Sequence, residues 1–160
     1  MDRFFALSQL TSTVLAGVVA GIFVGTQLGQ VRVQRTLPAR DFTLVKHSFE
    51  VALGRIMPAL VIAAGLSLVV ALALSIAVRD LVVLLLMTGA LALWIAVMIV
   101  TLVFNAPVNA RAARWDPASP PADWEALRAR WHLGQTIRTP LAVGSFVCVA
   151  LGAQWPQLAG

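Results

Sequence analysis

The chain has no tyrosine, one cysteine and two histidines, and only 12% of its 160 residues are charged. The missing tyrosine excludes tyrosyl-radical chemistry. Cys148 alone cannot close an internal disulfide, and inside an apolar run it reads as a small buried hydrophobe. A soluble domain carries about 25% charged residues. That deficit, a mean hydropathy of +0.86 and apolar runs longer than ~18 residues place the chain in a bilayer. The length suits one compact membrane domain over 1–160 and leaves no room for a second. A net charge of +5 does not point to nucleic acid here. Arginines spread through membrane loops set topology and touch anionic lipid.

Taken in order, the uncharged run from Phe4 to Gln30 is too long for a signal-peptide core, and no small-residue cleavage site ends it. It predicts a first span over about 5–30. Gly17, Gly21, Gly25 and Gly29 recur every fourth residue, so they share a helix face open to close packing. The partner is either a helix of the same chain or a second copy, giving a homo-oligomer through the first helix. Residues 31–46, with Arg32, Arg35, Arg40, Lys46 and a breaking Pro38, read as a basic loop.

The second helix starts near Phe42 and spans about 48–78, with His47 and Glu50 on one face and a kink expected at Pro58. Arg79-Asp80 is a tight turn before the third span, 81–105, whose Trp94 is expected to pack inside. A second basic loop covers 106–130, within which Ser119-Pro120 has the form of a helix start. The last apolar run is short. It spans, over about 131–153, only if its helix begins among the polar residues from Trp131 to Thr139, with a kink at Pro140 and a tail from Gln154. The fold expected is an all-α, four-helix transmembrane bundle, its fourth helix extended into the cytoplasm by an amphipathic segment.

With four spans, the termini and the Arg79 turn share one side and hold Arg3 and Arg79. The other side holds Arg32, Arg35, Arg40, Lys46, Arg111, Arg114, Arg128, Arg130 and Arg138. The positive-inside rule then puts both long loops in the cytoplasm and both termini outside, in a bacterial-type inner membrane. His47 and Glu50, Asn105 and Asn109, and the stripe from Trp124 to Arg138 all reach one level of the bundle.

On a helical projection Trp124, Arg128, Trp131, His132, Gln135, Arg138 and Thr139 share one face. Trp124 and Arg128 suit a water-facing stripe as well as an inward one. An arginine a turn into hydrocarbon pairs inward or snorkels. Asn105 and Asn109 are either bundle glue or a pocket wall, and an amide can satisfy the carbonyl that Pro107 leaves unpaired. His47 is either a loop anchor or a general base. His47, Glu50 and His132 form the one metal-ligand set able to converge, and two His with a carboxylate suit non-haem iron. His47 with His132 alone would suit a bis-His haem. The cofactor stays open between none, haem and iron.

Asn105-x-Pro107-x-Asn109, a connector, Arg130-Trp131, and Arg138 seven residues after the tryptophan resemble the anthrone-oxygenase-like membrane family, many of whose bacterial members lack an assigned role. The resemblance implies four helices, site positions at Asn105, Pro107, Asn109, Trp131 and Arg138, and, as in fungal members, oxidation of anthrones to anthraquinones. Gln135 departs from the His or Asn common in its slot, and an amide does not titrate. The expected function is a membrane oxidoreductase acting from the cytoplasmic side on a flat, phenolic or polyketide-like substrate. Catalysis would use His47, Asn105, Asn109, Trp131 and Arg138, and the substrate would rest on Trp124, Trp131 and Gln135, stacked on Trp131. The alternative is a non-enzymatic membrane protein that binds a lipid or small molecule, or an accessory subunit.

Overall fold

The computed structural model describes residues 2–158, and the chain there is almost wholly helical. Helix α1 (Asp2–Gly25) runs through a π turn (Thr26–Gln30) into α2 (Val31–Thr36), forming one rod. Pro38 stops the rod, because it forbids helical geometry at Leu37, which is extended with ψ 137°. Helix α3 (Ala39–Leu53) follows at once. The expected basic loop 31–46 is thus helical except at Leu37-Pro38, since most of its charges occupy exposed faces of α2 and α3.

The interruption expected at Pro58 falls earlier, at Gly54-Arg55, before α4 (Ile56–Val78). Pro58 would have left the Gly54 carbonyl without a donor. Ending one helix there and starting the next puts the proline in a first turn, where no donor is needed. Arg79 turns the chain in the left-handed region (φ 58°), and the Asp80 carboxylate accepts from the Val82 and Val83 amides at 2.8 and 3.1 Å to cap α5 (Leu81–Val100).

A second π turn (Thr101–Asn105) leads into α6 (Ala106–Ala112). The carbonyl freed by Pro107 belongs to Val103, and it accepts from the Arg130 guanidinium at 2.6 Å. An asparagine amide was expected in that role, but a cation from the facing helix performs it. Ser119-Pro120 does not open the last helix: the Ser119 amide donates to the Asp116 carbonyl, so the pair belongs to a connector turn. Helix α7 (Trp124–Leu158) is 35 residues long, continues past Pro140, and takes up most of the expected tail. At ~1.5 Å per residue it is ~52 Å long, well beyond a ~30 Å hydrocarbon layer.

Four segments are long and apolar enough to cross a membrane: Arg3–Thr36, Ile56–Val78, Leu81–Ala112 and Trp124–Trp155. They form a ring in which α1 lies against α4 and α7, and α5 against the same two. Small residues set the spacing in the apolar half: Ala16, Ala64, Ala71, Ala90 and Ala142 are fully buried, with Leu68, Met87 and Trp94 filling between them. Trp94 packs inside as expected, its indole N–H donating to the Val61 carbonyl at 3.2 Å. Of the glycine face, Gly17 lies under the Phe146 ring of α7, while Gly21, Gly25 and Gly29 have nothing within 4 Å of a Cβ.

Candidate active site

At the opposite end of the ring the interior turns polar. Lys46, the only lysine in the chain, is fully buried. Helix α3 carries Glu50 one turn later on the same face, and the Lys46 ammonium donates to its carboxylate at 2.5 Å. The same ammonium donates to Asn109 Oδ1 at 2.8 Å and sits 4.1 Å above the Trp131 ring. Trp131 Nε1–H donates to that Asn109 oxygen, also at 2.8 Å. One lysine thus joins α3, α6 and α7. Burial pushes its pKa down to about 8, against the pull of Glu50, which raises it.

Arg138 enters from α7, 8% exposed. Its Nε and Nη2 donate to Gln135 Oε1 at 2.8 and 2.5 Å, and its guanidinium lies 4.2 Å from the Phe23 ring centre. A longer bond reaches Thr101 Oγ1 at 3.4 Å. Gln135 is itself fixed, its amide donating to the Phe23 carbonyl at 2.9 Å. All these partners are neutral. Among the described residues the ion pairs are Lys46–Glu50 and the exposed Arg111–Asp123, so Arg138 is a buried cation with no carboxylate in direct contact.

Glu50, Asn109, Trp131 and Arg138 line a cavity of about 360 Å³ that extends among Phe23, Met57, Val61, Ile62, Met98 and Leu102. Its wall is apolar apart from this cluster, Thr26, Gln30 and Thr101. The arrangement offers a carboxylate to take a proton, a guanidinium to hold an anion, and an apolar body for the rest of a ligand.

The structure sorts the expected site residues. Asn109, Trp131 and Arg138 meet at the cavity. Trp131 is 4% exposed and Lys46 covers one face, so it contributes an edge and a fixed N–H where an open stacking platform was expected. Asn105 lies behind the wall, its amide donating to the Trp131 carbonyl at 3.0 Å and its oxygen facing Gly134. Gln135 lies behind Arg138 and does not line the cavity. Trp124 stacks on Phe42 (5.9 Å) under Arg128, away from the cavity.

His47 also stands apart: its Nδ1 is 3.0 Å from the Ala112 carbonyl at the end of α6, the geometry of a helix anchor. His132 turns to Gln34 Oε1 at 3.3 Å, in a separate recess with Arg35 and Arg128. The set His47, Glu50 and His132 does not converge, and no cluster of three His, Cys, Asp or Glu exists among the described residues. The element missed from sequence was Lys46, counted there as a loop charge. Its spacing of four from Glu50 on a helix was the available signal. Outside the cavity, Arg111 grips Asp123 with two bonds of 2.9 Å and holds that carboxyl below its usual range, tying α6 to the start of α7.

These features define a small multi-pass integral membrane protein with a buried polar cluster opening on an apolar cavity. The family described as anthrone oxygenase matches residues 45–148, and the chain belongs to that family. The matched stretch contains Lys46, Glu50, Asn109, Trp131 and Arg138. Membership points to an oxygenase-like function. No curated protein matches the chain, and no solved structure does.

Proposed function

We propose that the protein oxidises a flat, hydrophobic, phenolic substrate of the anthrone type, using dioxygen, in the cavity lined by α1, α3, α4, α5 and α7. The observation that carries this reading is Arg138: a guanidinium buried at an apolar cavity and in salt-bridge contact with no carboxylate, while Glu50 lines the same cavity. A buried charge is retained where a counter-charge arrives. An anthrone supplies one, because loss of a proton from its methylene carbon leaves the charge on its ketone oxygen.

In the proposed sequence Glu50 removes that proton, and the electron pair passes to the ketone oxygen, which Arg138 holds as an oxyanion. The anion gives one electron to dioxygen, and the resulting pair combines at the former methylene carbon to form a C–O bond. The proton held on Glu50 then completes a hydroperoxide. Loss of the second methylene proton with cleavage of the O–O bond forms the new carbonyl and releases water. One oxygen atom ends in the quinone and the other in water. Lys46 holds Glu50 and Asn109 in place through its two hydrogen bonds, and Glu50 replaces His47 as the base. The arginine-rich end carries the cavity, and by the positive-inside rule we assign it to the cytoplasmic side.

The test is oxygen uptake by purified protein in nanodiscs supplied with a hydroxylated anthrone. The expected result is one dioxygen consumed per quinone formed, at a rate well above that of empty discs. Tight binding with no uptake above the empty-disc rate would overturn the reading in favour of a small-molecule-binding membrane protein.

A further inference from the structure

The cavity has a mouth, and its position says where the ligand comes from. Pro58 and Ile62 line the cavity from the edge of α4 adjoining Val61 and Gly65, the residues that touch Trp94 of α5. Across from them, Leu102 lines it from the second π turn. Ile62 is 53% exposed and Leu102 62%, while Phe49 and Leu53 continue the rim from α3 at 41% and 37%. No charged side chain stands among these rim residues, and Ile62 and Leu102 belong to segments that cross the membrane. The gap has two local causes. Helix α4 begins only after the break at Gly54-Arg55, and Leu102 sits on a π turn, which carries an extra residue per turn. The charged groups lie at the inner end, on Glu50 and Arg138.

We propose that this mouth, between Ile62 of α4 and Leu102 of the π turn, is a lateral portal through which the ligand passes from the hydrocarbon of the bilayer directly to Arg138. The inference rests on the proposed function for its occupant: a flat aromatic dissolved in the membrane, which crosses an apolar rim and meets its first charge at the inner wall. It follows that the ligand's membrane concentration, and not its aqueous concentration, sets its arrival rate.

Two measurements test this in nanodiscs, on a Cys148→Ala background. A nitroxide label on Leu102→Cys should collide more often with oxygen, which concentrates in the bilayer, than with a water-soluble nickel chelate. Preferential collision with the chelate overturns the portal, whatever the cavity binds. The second measurement follows association of a hydroxyanthraquinone, without turnover, by tryptophan quenching. Leu102→Trp and Ile62→Trp should slow association and dissociation together, by about tenfold, as a narrowed passage does. Ile99→Trp, on the exposed face of α5 outside the cavity, should change neither rate. Unchanged rates in both portal variants overturn the proposal. A lipid-bathed label in a protein that binds no hydroxyanthraquinone overturns the proposed function, and with it the occupant named here.

Discussion

The two ends of the bundle are built by different rules. Around Met87 and Trp94 the helices approach through alanines, and the buried polar side chains, Gln9, Ser12, Ser75 and Ser145, are all uncharged. Around Lys46 and Arg138 the same four helices enclose an ammonium, a guanidinium, a carboxylate and three amides, from Gln34, Asn105 and Gln135. In a membrane the first arrangement is inexpensive: lipid tails are as apolar as leucine, and close packing of small residues supplies the contact. The second is costly at every charge. A fold that needed only to persist would have used the first rule throughout. On the proposed function, the polar end is retained for what it does to a ligand.

That comparison breaks first at Glu50. Glu50→Gln keeps the shape and a hydrogen-bond partner for Lys46 but removes the base, so kcat should fall by ~10²–10⁴-fold while ligand binding survives. Steady-state kinetics in nanodiscs decide it, and a kcat within threefold of the parent would return the polar end to a structural role.

Lys46 should register in the pH profile. With its pKa lowered to about 8, it is an ammonium below that pH and a neutral amine above it. As pH rises through 8, Glu50 and Asn109 lose their shared cation, so kcat/KM should decline on an alkaline limb near pH 8. Lys46→Met should abolish that limb. A profile identical to that of the parent would show that the lysine only fills space.

A smaller effect separates the two ends by stiffness. A Cβ on Gly134 would lie 2.5 Å from Asn105 Oδ1 and 2.6 Å from Phe104 Cβ, neither of which can retreat. A Cβ on Gly152, in the apolar end, would also meet an atom at 2.5 Å, but that atom is the terminal methyl of Met87. Gly134→Ala should therefore destabilise by ~1–3 kcal/mol and Gly152→Ala by less than ~1 kcal/mol, since a thioether repacks easily. Denaturation in a mixed-detergent series reads both. Equal losses would mean that the polar end is no more rigid than the other.

Much of this was legible in the sequence. Apolar run lengths give four spans, and the Arg79-Asp80 turn follows from its residues. Asn109, Trp131 and Arg138 stand out because polar groups at membrane depth are rare. What stayed hidden has physical reasons. Lys46 looked like any loop charge, because a run of arginines broken by proline reads as loop, whereas Pro38 in fact starts a helix whose inward face carries it. His47 drew attention as one of two histidines, but a carbonyl at the end of α6 claims its ring. Gln135 looked like a defect in a titrating position, yet an uncharged acceptor there fixes the arginine without neutralising it.

The most direct test of the central claim reads the charge of the ligand itself. A hydroxyanthraquinone changes colour when its phenol ionises, so its pKa can be followed by absorbance while it is bound. If Arg138 is a buried cation awaiting an anion, the bound phenol should ionise about one pH unit or more below its value in protein-free lipid, and Arg138→Gln should erase the difference. A bound phenol whose pKa is unchanged or raised in the parent protein would contradict the claim.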